Sequence, residues 1–111
     1  MKDEFYNNYQ YIYNQAKITE SYFSIDITQG GNYRGEYSQI LLRTAFCGYI
    51  QEKFMSKHGR SLKIRRDIIK ILSELLGVNY RTVRYYIMKF NESKISSAEV
   101  YLYLIMIERG G

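Results

Sequence analysis

Between residues 79 and 89 the chain carries Asn79, Tyr80, Arg81, Thr82, Arg84, Tyr85 and Lys89. These side chains suit recognition rather than catalysis. A guanidinium presents a rigid fork of donors that matches a guanine edge or a phosphate, and Arg81 and Arg84 fall on one face of a helix. Asn79, Thr82 and Tyr85 can add hydrogen bonds to base edges or phosphates. Upstream, Lys63, Arg65, Arg66 and Lys70 add cations suited to phosphate contact. The chemistry of an active site is missing. His58 and Cys47 are the sole residues of their types, and no base and orienting group accompany the cysteine. The acidic residues of the basic stretch, Asp67, Glu74 and Glu92, are accounted for by helix ends and exposed faces. One cysteine excludes an intrachain disulfide and a cysteine-based zinc site. The expectation is no enzyme, no metal and no cofactor.

Two helices must hold this set in place. Leu72 and Leu76 share a helical face, and Ser73 is small enough for a close helix crossing. Gly77 sits where a helix ends in a left-handed residue. Val78 buries itself in the turn, and Asn79 can cap the next helix. Val83 and Ile87 then point inward, leaving Tyr80, Arg81, Arg84, Tyr85 and Met88 outside. The wording Leu-Gly-Val, a polar cap, Arg-Thr-Val and then Tyr-Ile resembles the helix-turn-helix superfamily of DNA-binding proteins. The resemblance covers residues 72–87 and a few beyond. It implies that the second helix, residues 80–90, enters the major groove of double-stranded DNA.

Charge is placed to match. The net charge is +5, yet residues 53–94 hold 11 basic and 3 acidic residues, whereas residues 1–52 hold 4 and 6. Positive charge is thus gathered around the motif, as phosphate neutralisation requires. The 111 residues make one domain with a modest core. Tyr (13) and Phe (5) are abundant and Pro and Trp absent. With the many Ile, Lys and Asn residues this points to A/T-rich codons, hence to a low-GC bacterium, a plasmid or a phage. The start Met1-Lys2-Asp3-Glu4 is charged, and the longest apolar run, residues 100–107, is too short to span a bilayer. The expected setting is the cytoplasm, with no membrane partner.

Around the motif the pattern is mixed. Residues 3–17 place Phe5, Tyr9, Ile12, Tyr13 and Ala16 on one helical face, although the alternation Tyr9, Tyr11, Tyr13 also permits a strand. Residues 22–28 alternate with period two and predict a half-buried strand. Residues 29–35 read as a flexible loop that could present Tyr33 and Arg34 to DNA. Residues 38–57 predict a long helix with a broad apolar stripe of Ile40, Leu41, Ala45, Phe46, Tyr49, Ile50, Phe54 and Met55, closed by Gly59. His58 reads as a C-terminal cap or a solvated residue. Leu62 and Ile64 predict a short inward-facing extended segment, a place where winged relatives carry a strand. The first motif helix is then expected to start at Arg66 or Asp67. No conventional wing hairpin is written after the second motif helix. Ser96 and Glu99 form a capping box ahead of the apolar residues 100–107, which read either as an all-round buried helix or as a buried strand.

The predicted fold is α+β and mainly α, a winged-helix-like domain with a small β element near the N-terminus. One domain spans 1–111, with the motif at about 68–90, an N-terminal extension at 1–35 and a dimerisation segment at 96–109. The predicted function is binding of a specific DNA site by a homodimer. It would act by occupancy, as a transcription regulator or as an accessory factor in plasmid or phage partition, replication or transfer, with a larger plasmid or phage protein as a further partner. The other reading is a module of the same shape that docks on a protein instead of DNA.

Overall fold

Ile12, Ala16 and Thr19 recur at helical spacing and are all buried, so the first helix packs this one face on the core. In the computed structural model, which describes residues 2–28 and 37–92 (side chains from residue 7 and from residue 39), this face belongs to α1 (Lys2–Phe23). It is followed by α2 (Tyr37–His58), α3 (Leu62–Leu76) and α4 (Tyr80–Glu92). No strand occurs among the described residues. The α+β, winged-helix-like expectation is therefore corrected to an all-α fold over these residues.

Residues 22–28 show why. Tyr22 and Phe23 complete α1, whose last turns hold Thr19 Oγ1 bonded to the Gln15 carbonyl at 2.8 Å. Ser24 then takes φ 55 and ends the helix. The chain folds back, Ile25 N–H donating to the Glu20 carbonyl at 3.3 Å. The amides of Ile27 and Thr28 donate to the Glu20 carboxylate at 2.7 and 2.9 Å. The alternation is real in its burial, with Ile27 inside and Asp26 outside. The donors a strand would offer to a neighbour are instead taken by one carboxylate.

α2 is the central helix. The expected stripe is buried, from Ala45, Phe46 and Tyr49 to Ile50, Phe54 and Met55. Burial nevertheless extends to every residue from 42 to 51, and α3 and α4 both pack against α2. Arg43 is fully buried within it, donating Nε to the Ile27 carbonyl at 3.0 Å and Nη2 to the Leu76 carbonyl at 3.5 Å. It thereby ties the turn after α1 to the end of α3. Gly48 marks the crossing of α2 and α4, where the Phe90 ring occupies the place a Cβ would take. Gly59, at φ 98, follows α2.

α3 begins earlier than the sequence predicts, and the short extended segment before it is absent. The Ser61 hydroxyl accepts the Ile64 N–H at 3.2 Å and the Ser61 carbonyl accepts Arg65 N–H at 3.1 Å, so the chain is helical from Leu62. Leu62 faces solvent at 58% exposure, not the core. α4 continues through Phe90 to Glu92. No described helix is long and apolar enough to cross a membrane. The loop with Arg34 and the segment 96–109 lie outside the described residues.

Candidate nucleic-acid interface

The turn between α3 and α4 sets the direction of the basic helix. Gly77 adopts φ 68, ψ 32 and donates its N–H to the Ser73 carbonyl. Val78 N–H reaches the same carbonyl at 3.2 Å, and Ser73 Oγ donates to the Val78 carbonyl at 2.6 Å. Ser73 thus closes the turn by hydrogen bonding as well as by being small. Val78 is buried. Asn79 Oδ1 accepts from both the backbone N–H and the hydroxyl of Thr82, each at 2.9 Å, which satisfies donors that a helix start leaves open.

That capping has a consequence for Thr82. It is buried, and its hydroxyl is engaged by Asn79, so it shapes the helix start and stands apart from the outer surface. Val83, Tyr86 and Ile87 complete the inward face. The outward face presents Tyr80, Arg81, Arg84, Tyr85, Met88 and Lys89. Lys89 lies 5.5 Å from the Tyr85 ring centroid and 3.8 Å from the Glu92 carboxylate. It is thus held along α4, in part neutralised.

At the start of α3, Lys63, Arg65 and Arg66 are exposed, as is Lys70 one turn on. The first turn of α3 has no acidic residue, so its amide ends and three cations present a strongly positive surface. Arg65 and Arg84 line one cavity of about 480 Å³ together with Gln51, Ile69, Ile87, Met88, Asn91 and Glu92. The fold therefore brings the start of α3 and the middle of α4 together. Lys63, Arg65, Arg66, Arg81 and Arg84 form no ion pair or hydrogen bond among the described residues.

No family model, curated protein or solved structure matches the chain. What this surface does is read from its own residues.

The remaining reactive groups are placed elsewhere. Burial pushes the Cys47 thiol pKa up, against a smaller opposing effect of Arg43, and keeps it protonated. His58 is exposed and stacked on Phe54, with ring centroids 5.6 Å apart. No group of three or more potential metal donors is gathered among the described residues. Arg43 and Gln51 are buried although their types belong to surfaces. Their spacing is the signal for this: Arg43, Cys47 and Gln51 are spaced by four and share a face of α2, so a face that buries Cys47 carries polar neighbours inward with it.

Proposed function

We propose that the protein is a sequence-specific double-stranded DNA-binding protein that acts by occupying its site. It would serve as a transcription regulator or as an accessory factor of plasmid or phage partition, replication or transfer, working in the cytoplasm as a homodimer. The observation that carries this is the exposed face of α4, where Arg81 and Arg84 have no intramolecular partner among the described residues and lie beside Tyr80 and Tyr85. Free guanidinium groups on an exposed helix suit bidentate contact with guanine. Lys63, Arg65 and Arg66 at the start of α3 suit phosphates, with Lys70 and Lys89 beside them. Asn79 is exposed at the head of α4 and can contribute from the cap. Arg34 would add a contact from the connecting loop.

A binding experiment with fragments of the source replicon, titrated with salt, tests this. The reading expects one preferred fragment and an affinity that falls steeply and linearly on logarithmic axes as salt rises. Equal, salt-insensitive retention of all fragments contradicts it. A second reading draws on Tyr80, Tyr85 and Met88, exposed at 40%, 50% and 46%. Aromatic, Met and Arg side chains are the residues that protein interfaces favour, so the same face suits a protein partner. Binding without steep salt dependence to a polymerase or coat protein of the same replicon would favour that reading.

A further inference from the structure

Gln51 is the described residue whose chemistry is incomplete. It lies on α2, only 5% exposed, and its Nε2 reaches the Met55 sulfur at 3.3 Å. Its Oε1 has no hydrogen-bond partner among the described residues. A buried acceptor left without a donor is costly, and such groups call for an explanation. Gln51 lines the 480 Å³ cavity between α2, α3 and α4, a volume in the range of small-molecule sites. The terminal torsion of a glutamine is soft, so the amide can reorient toward a ligand by giving up its contact with the Met55 sulfur. Ile69, Ile87 and Met88 provide apolar walls, and Arg65 and Arg84, which have no partner among the described residues, provide cationic groups; Glu92, on the same lining, is paired with Lys89 at 3.8 Å.

We propose that this cavity is a binding site for a small amphipathic organic acid: a carboxylate for Arg65 and Arg84, an apolar ring against Ile69, Ile87 and Met88, and one N–H or O–H donor for Gln51 Oε1. A DNA phosphate matches this less well, because it brings neither an apolar body nor a donor for Gln51. Occupancy would withdraw Arg84 from the outer face of α4, so the acid would lower DNA affinity. That consequence rests on the proposed DNA-binding function, whereas the site itself does not.

The probe is indole-3-acetate, which carries a carboxylate, an aromatic body and a ring N–H. Indole-3-ethanol is the control lacking the carboxylate. Titration of the isotope-labelled full chain, without DNA, is followed by NMR at the Gln51 side-chain amide and the Ile87 and Met88 methyl groups. The expected result is saturable shifts at these groups, with a dissociation constant of about 1 mM or tighter. Indole-3-ethanol and the Arg84→Gln variant should each weaken binding by about tenfold. Gln51→Leu removes the orphaned acceptor while preserving shape, so its melting temperature should stay level or rise while the acid binds at least about threefold more weakly. Absence of saturable shifts up to about 10 mM, or an equal response from the neutral control, from Arg84→Gln or from a folded Gln51→Leu, overturns the proposal. Failure of the acid-free protein to bind DNA, with these shifts intact, would count only against the DNA-binding function.

Discussion

Two glycines set the placement of α4 by different means, Gly77 at its turn from α3 and Gly48 at its crossing with α2. Gly77 sits at φ 68 with open space where a Cβ would go, so only its backbone conformation matters. In Gly77→Val a β-branched residue must hold a left-handed conformation. We expect a loss of roughly 1–2 kcal/mol, read as a lower urea midpoint, and an unchanged midpoint would contradict this. Gly48 is the reverse case. It lies in an ordinary helix, but a Cβ would overlap the Phe90 ring. Gly48→Ala gains roughly 1 kcal/mol of helix propensity and incurs an overpacking cost of about 1–3 kcal/mol, so the net effect should be destabilising. The companion change Phe90→Leu should recover part of that loss, and the double-mutant cycle should give a measurable coupling. Additive effects would mean that the α2–α4 crossing does not depend on this contact.

The turn after α1 is held by a side chain. Glu20 is partly buried, which raises its pKa. The hydrogen bonds from the Thr28 and Ile27 amides and from the Lys17 ammonium at 3.1 Å outweigh this and bring it down to about 2. A depressed carboxylate contributes stability above its unfolded-state pKa and loses it as pH falls through the folded one. Wild type should therefore exceed Glu20→Gln in stability at neutral pH, and the gap should shrink between about pH 4.5 and pH 2. A gap that stays constant with pH would show that the clasp does not depend on charge. This element is also where the sequence was least legible. The end of α3, the Gly77 turn, the Asn79 cap and the inward Val83 and Ile87 could all be read directly, because each depends on a residue type with one dominant local use. The long α2 was legible from its apolar period. Residues 22–28 were not, since Ile25 and Ile27 alternate as in a strand while their amide partner, Glu20, belongs to the preceding helix. The start of α3 is hidden in the sequence because Ser61, an ordinary cap, stands among basic residues that equally fit an extended lead-in. Arg43, Gly48 and Gln51 owe their roles to contacts with distant elements, which no local pattern records.

At the scale of the molecule, the uneven distribution of charge joins the start of α3 and the outer face of α4 into one basic surface, and Arg65 and Arg84 lining one cavity is the clearest sign of it. A dimer would present two such surfaces to two half-sites about one helical turn apart. Sedimentation at tens of micromolar should accordingly give about twice the 13.3 kDa chain mass, and a folded monomer would contradict the dimer. The proposed complex divides recognition in two: α4 reads base sequence while the start of α3 holds the phosphate backbone. It is tested most directly by measuring Arg81→Ala and Lys63→Ala on the preferred site and on a scrambled duplex at two salt concentrations. Arg81→Ala should lose about 1–3 kcal/mol on the preferred site and lower the specific-to-non-specific ratio. Lys63→Ala should weaken both duplexes alike and reduce the salt slope by about one unit. If the two variants instead change the ratio to the same extent, α4 is not the reader and the account fails.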